Sequence, residues 1–297
     1  MSSAAVGEDL AGGLETKTQL KHSSDIDLDY GDPLCVTEYQ EDIYKYFKKL
    51  EACAFYFSPD FMDKQLNIDW NKHCILVERM IQLRSEMKLL QETILLAVNI
   101  LHRFLSARAV STDKVELVGL CCLLIAIKYE EVYVPSISLL LSLSMDTSST
   151  KFEIIEGEKY ILKTLDWDLR ASGPLSWLRK ASEADDYDVK SRNLAKYLID
   201  ISLAEKKLVR VVPSLLSASA LWLARVVSNR GTWNTELKHL STYSENELLP
   251  VASIMVDYIL VQPPPHSELY NFYDTKKHFM VILDYSSNTL NPPPSVG

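Results

Sequence analysis

The stretch "LCCLLIAIKYEEVYVP", residues 120–135, decides how the rest of this 297-residue chain is read. It begins as unbroken apolar chain and ends in Lys128, Glu130 and Glu131. The uncharged run reaches back to Leu117. A helix that is apolar on every side must be surrounded by protein. Val134-Pro135 stops it, because the residue before a proline is pushed out of helical geometry. Ser111, Thr112 and Asp113 at the other end are residue types that cap helices. The stretch predicts a central helix, and its charged tip needs a reason.

Working outward, "VPSLLSASALWLARVVS", residues 212–228, is a second helix, uncharged as far as Ala224, with Pro213 suited to its first turn. Both central segments carry small residues, Gly119, Cys122 and Ala126 in one and Ser217, Ala218 and Ala220 in the other, so neighbouring helices can approach closely. "KHCILVERMIQLRSEM", residues 72–87, is apolar at Ile75, Leu76, Met80 and Leu83. "QETILLAVNILHRFLS", residues 91–106, places Ile94, Val98, Leu101 and Leu105 on one face, and "DVKSRNLAKYLIDISLAE", residues 188–205, is amphipathic. Only four of nine glycines lie between Asp32 and Val296, and half of the twelve prolines sit in two triplets. The pattern predicts an all-α protein of two bundles, each of about five helices around a central one.

Near the amino end, "EYQEDIYKYFKKLE", residues 38–51, lines up Tyr39, Ile43, Phe47 and Leu50 on one stripe. So short a helix must dock onto its own protein or onto a partner. Residues 1–33, rich in Ser, Gly and Asp, are expected to be disordered. The net charge of -9 and the lack of a basic block argue against nucleic acid as a partner. No apolar run is long enough to span a membrane, and no signal peptide is seen. Five cysteines, an odd number with Cys121 and Cys122 adjacent, read as reduced thiols of an intracellular protein. No Gly-rich phosphate loop, G-x-S-x-G or H-E-x-x-H is present, and the six histidines are scattered. Asp185, Asp186 and Asp188 lack the glycine and later glutamate of a calcium loop and read as a solvated loop between the bundles. No catalytic set, metal or cofactor is expected, so the chain does not read as an enzyme.

The segment "FEIIEGEKYILKTLDWDL", residues 152–169, holds a second misplaced charge. At roughly 100° per residue, Ile154, Ile155, Ile161, Leu162 and Leu165 form one apolar arc, and Glu158 falls inside it. An unpaired buried charge costs several kcal/mol, so Glu158 and Lys128 both need partners. Either they satisfy each other or reach water, or they are a donor and an acceptor set in an apolar patch to receive another protein's backbone.

"LLAVNILHRFLS", "ELVGLCCLLIAIKYEEVYVP" and "EKYILKTLDWDL" resemble successive segments of the cyclin box. "EYQEDIYKYFKKLE" resembles the helix that precedes the box in B-type mitotic cyclins. "LRKASEADDYDVKSRNLAKYLIDISL", "YSENELLPVASIMVDYI" and "YDTKKHFM" are similar to the second box of fungal mitotic cyclins. The resemblance covers roughly residues 36–284. It implies a tail at 1–33, a docking helix within 34–62, cyclin boxes at 63–170 and 171–265, and a C-terminal helix and tail at 266–297.

What the resemblance implies for function is a non-catalytic activator of a mitotic cyclin-dependent kinase, present in nucleus and cytoplasm. Lys128 and Glu158 match the family's paired polar contacts to the kinase, beside its αC helix and activation segment. Tyr129, Leu162, Trp167 and Leu169 match the surrounding apolar contacts, and Tyr39 and Ile43 those to the small lobe. Glu130 and Glu131 either orient Lys128 or are solvated, with solvation expected for Glu131. Lys72, Ile75, Leu76, Arg79, Val115 and Glu116 correspond to the substrate-docking groove. There, Lys72 and Arg79 replace the family's Met and Trp, which weakens any docking of Arg-x-Leu substrates. His73 and His102 stand where the family has an internal Arg–Asp pair. The tail contains no Arg-x-x-Leu destruction box and no Lys-Glu-Asn box, which points to another route of degradation or a divergent or shortened form. Two alternatives are a scaffold related to transcription factor IIB working on DNA, and a cyclin-like protein that serves transcription or binds a kinase without activating it.

Overall fold

The structure, a computed structural model, describes residues 37–52, 60–144 and 149–260. The tail at 1–33 and the C-terminal helix expected at 266–297 lie outside them. The chain divides into two compact units, residues 1–46 and 47–297. In the first, a 3-10 turn at Thr37–Tyr39 runs into helix α1, Gln40–Ala52. Lys45 bridges Glu41 at 2.8 Å and Asp42 at 3.9 Å along its exposed face.

The rest of α1 and all later elements belong to the second unit. Five helices follow first: α2 (Trp70–Met87), α3 (Gln91–Ala107), α4 (Val115–Glu130), α5 (Ile137–Leu143) and α6 (Lys151–Thr164). Five more come after them: α7 (Pro174–Glu183), α8 (Val189–Ser202), α9 (Pro213–Val227), α10 (Thr235–Ser241) and α11 (Glu245–Leu260). The described residues contain no strand. Helix α4 packs against α2, α3 and α6, and α9 against α7, α8 and α11, so each largely apolar helix is the axis of its bundle. This is the all-α, twofold five-helix arrangement that the periodicity predicts.

Small residues set the spacing. A Cβ added to Gly119 would lie 2.6 Å from Leu76 Cδ1, and one added to Gly157 would lie 2.7 Å from Cys121 Sγ. Side chains at either place would force α2 or α6 away from α4. Several helix starts are capped as their sequences demand. Asp69 accepts from Lys72 N, Ser136 from Leu139 N, Asp188 from Ser191 N, and Thr150 forms a capping box with Glu153.

The start of α4 departs from expectation. A 3-10 turn, Thr112–Lys114, precedes it, and neither Ser111 nor Lys114 makes a side-chain cap bond. Thr112 Oγ1 instead donates to Asn67 O at 2.7 Å. Asp185 corrects a second expectation. It lies between α7 and α8, is 2% exposed, and pairs with Arg225 and, at 3.2 Å, with Arg230. Two cations hold it, not solvent.

A buried network joins the bundles. Asp200 on α8 is fully buried and accepts from Arg84 Nη1 at 2.9 Å and from Gln91 Nε2 at 2.7 Å. The C-terminal turn of α1 docks on the second bundle through Glu51, whose carboxylate receives Ser214 N at 2.7 Å and so covers the first turn of α9.

Candidate functional site

The charged tip of α4 finds its first partner inside the chain. Lys128 Nζ donates to Glu158 Oε1 at 2.6 Å. Gly157, one residue earlier on α6, leaves room for this approach, since a Cβ there would meet Cys121 Sγ on α4 at 2.7 Å. Glu158 does sit among buried side chains, with Ile154, Ile161, Leu162 and Leu165 in the core. Ile155, assigned to the same arc, faces out. The side chains of Lys128 and Glu158 are 44% and 13% exposed. Burial and the nearby Glu158 charge push the Cys121 thiol up to about 12. Lys128 is open to water but Glu158 is largely buried, so the pair separates only where another protein's hydrogen bonds take its place.

Apolar side chains stand exposed beside both ends of this pair. Tyr129, Val132, Tyr133 and Val134 follow Lys128 directly, with Val132 89% and Tyr133 87% exposed. Trp167, 65% exposed, follows the end of α6. Asp166 and Trp167 both take left-handed backbone angles, φ 52° and 58°, while Trp167 N donates to Leu162 O at 2.9 Å. Two such residues in a row cost of order 1 kcal/mol each or more. That turn holds an indole in water at a cost in stability. Large exposed apolar patches of this kind mark protein interfaces.

The residues assigned from sequence fall into distinct places. Leu162 is buried in the core, so it supports the surface from beneath and is not itself presented; its apolar position on the arc belongs to packing. Leu169 is half-buried against the core. In the first unit Tyr39 is exposed and Ile43 half-buried. Glu131 is not simply solvated. Its Oε1 accepts from Leu90 N at 2.7 Å and Thr93 Oγ1 at 2.5 Å, which caps α3. Sequence reading missed this cap because the acceptor lies some forty residues downstream of the amide it serves. Glu130 is pushed above the usual carboxylate range by burial and by the charges of Glu92 and Glu131.

Of the groove positions, Ile75 and Glu116 are exposed, and Leu76 and Val115 are buried. Lys72 Nζ donates to Thr112 Oγ1 at 3.2 Å and Asn67 O at 3.3 Å. Arg79 is not a free cation in that groove. Its guanidinium donates to Gln82 and to Leu143 O at the end of α5, and lies 3.7 Å from Glu86. A cation at a helix C-terminus is favoured by the carbonyls left open there. His73 and His102 do come together, Nε2 to Nε2 at 2.8 Å, with Phe61 and Trp70 around them. Burial pushes His73 down to about 4, and burial with the His73 ring beside it holds His102 well below its usual value. Among the described residues, no group of three or more His, Cys, Asp or Glu could hold a metal ion. None of their helices is long and apolar enough to cross a membrane.

Two family descriptions match the chain: "Cyclin, N-terminal domain" over residues 42–170 and "Cyclin, C-terminal domain" over residues 173–286. Among curated proteins it is 41% identical over 255 residues to the G2/mitotic-specific cyclin cdc13 of Schizosaccharomyces pombe, covering 86% of this chain and 52% of that one. It is 42% identical over 250 residues to the G2/mitotic-specific cyclin-2 of Saccharomyces cerevisiae, covering 84% and 50%. With the G2/mitotic-specific cyclin-B of Emericella nidulans it shares 38% over 277 residues, 92% and 57%. The chain thus spans about half the length of the curated relatives it matches. Among solved structures, a viral cyclin from herpesvirus saimiri superposes with a TM-score of 0.64 at 23% identity, covering 80% of this chain and 100% of that one. A chain of the yeast RNA Pol II CTD kinase CTDK-1 complex does so with a TM-score of 0.58 at 16% identity, covering 80% and 83%. Both share the fold.

Proposed function

This chain belongs to the cyclin family, and on that footing we propose that it is a regulatory subunit that binds and activates a mitotic cyclin-dependent kinase at the G2/M transition. The observation that carries the reading is the Lys128–Glu158 pair, 2.6 Å apart and flanked by exposed Tyr129, Val132, Tyr133 and Trp167. On docking, Lys128 and Glu158 exchange their mutual contact for backbone groups beside the kinase's αC helix and activation segment. Tyr129, Trp167 and Leu169 form the apolar contact, with Leu162 beneath, and Tyr39 and Ile43 meet the small lobe. The kinase shifts toward the state in which αC is inward and its Lys–Glu pair holds ATP. The phosphorylated substrates are chosen by the complex, which works in nucleus and cytoplasm. The similarity to fungal G2/mitotic cyclins supports this timing.

The test mixes the purified chain with an inactive monomeric mitotic kinase and follows phosphate transfer to a basic Ser/Thr-Pro peptide. A large gain is expected, lost in Lys128→Ala/Glu158→Ala with helicity intact. A stable complex without gain would overturn activation, and undiminished binding by the double variant would overturn the surface.

A further inference from the structure

Helix α1 runs unbroken from Gln40 to Ala52, and its second half carries a polar cluster that apolar packing does not require. Glu51 there is a carboxylate only 6% exposed. Its Oε1 accepts from Ser214 N at 2.7 Å and its Oε2 from Ser214 Oγ at 2.8 Å. Lys48 Nζ donates to Ser214 Oγ at 3.1 Å and to Tyr243 OH at 3.2 Å, and lies 3.4 Å from Glu51 Oε2. The same ammonium stands over the rings of Trp177 and Tyr243, 5.3 Å and 5.0 Å from their centroids, close enough for cation–π attraction. Phe47 meets Trp177 edge-on with centroids 6.2 Å apart, and Leu50 is buried. Every member of this cluster belongs to the second unit.

Burying a carboxylate is costly, and Phe47 and Leu50 would hold the helix end without it. What a satisfied polar cluster adds is uniqueness, since its bonds close at one rotation and one tilt of the helix. Ser214 stands in the first turn of α9, where backbone amides have no partner within the helix, so Glu51 finds its donors on the axis of the second bundle. Tyr39 and Ile43 begin the stripe that Phe47 and Leu50 continue, and of these Tyr39 is exposed and Ile43 half-buried. Helix α1 is thus a lever with one end fastened. At about 1.5 Å per residue, Ile43 lies roughly 12 Å ahead of Glu51, so a tilt of about 10° at the fastened end displaces it by about 2 Å.

We propose that Lys48 and Glu51 are positioning residues: with Ser214 and Tyr243 they set the direction of α1 and so present Tyr39 and Ile43 to the kinase. The inference rests on the function proposed above. Lys48 and Glu51 act through Tyr39 and Ile43 and add no contact of their own to the kinase.

Titration calorimetry of the full chain with the inactive monomeric mitotic kinase reads this through a mutant cycle. Glu51→Ala should weaken binding about tenfold. Glu51→Gln keeps an acceptor for Ser214 N and should recover most of that loss. In a Tyr39→Ala/Ile43→Ala chain, Glu51→Ala should have no further effect, because nothing is left to position. A merely structural role would weaken both backgrounds alike. On the chain without kinase, amide exchange across Gln40–Tyr46 should quicken in Glu51→Ala while α9 stays protected. Lys48→Met leaves the carboxylate bonded to Ser214 and carries the same cycle if Glu51→Ala does not fold. Equal affinity of the altered and unaltered chains would overturn this inference alone, as would an equal loss in both backgrounds. An unaltered chain that binds no kinase would overturn the proposed function, and this inference with it.

Discussion

The Nε2 atoms of His73 on α2 and His102 on α3 lie 2.8 Å apart in a wholly buried contact. One ring donates and the other accepts, so the acceptor is neutral, and burial keeps the donor neutral as well. The folded pair resists protonation, with His73 at about 4 against an ordinary 6.5. Between those values the unfolded chain binds more protons, so stability rises with pH across the window and levels off above it. The loss on acidification is about 1.4 kcal/mol per pH unit for each histidine. Urea unfolding at pH 7 and pH 5 should show a smaller difference in His73→Leu/His102→Leu than in the unaltered chain. An identical difference would refute the neutral pair.

Gly157→Ala should destabilise the chain by about 1–3 kcal/mol, because the new methyl meets Cys121 Sγ at 2.7 Å. Cys121→Ala in the same chain should return most of that loss by removing the obstructing sulfur. Thermal melts of the two single variants and the double variant measure the coupling directly.

Arg84→Met should cost about 3 kcal/mol, since it removes a cation that holds the buried Asp200 carboxylate. Arg84→Met/Asp200→Leu should be far closer to the unaltered chain, because no unpaired charge remains. Chemical denaturation of both variants is the measurement. A double variant as unstable as Arg84→Met would show that the charge is not the cause.

Trp167→Ala removes an exposed side chain and should move folding stability by no more than about 0.5 kcal/mol. If this indole is an anchor for the kinase, the same change should weaken the complex by about 2 kcal/mol, roughly 30-fold. Calorimetry on the purified pair, set beside a melt of the variant alone, separates the two effects.

The fold was legible because its strongest features are one-dimensional. An uncharged run such as Leu117 to Ile127 can only be a buried axis, and Pro135 bounds it locally. Glu158 was legible as a misplaced charge because helical angle alone puts it among Ile154, Ile161 and Leu165. The angular count also put Ile155 on that arc, where its side chain faces out, because angle does not say which side a neighbouring helix covers. Glu131 and Asp185 read as solvated charges. Each is held by residues far along the chain, Leu90 and Arg225, so no local window contains the reason for it. Arg79 likewise finds its acceptor far along the chain, at the end of α5.

Asp200 belongs to one bundle by sequence and to the other by its bonds to Arg84 and Gln91. The halves are therefore not interchangeable modules. A recombinant that joins this first bundle to a second from a relative must carry both ends of the contact together or strand a charge at the seam. The same seam should make the two bundles melt as one cooperative unit, with hydrogen exchange in α3 and α8 reporting a single opening event of one shared free energy.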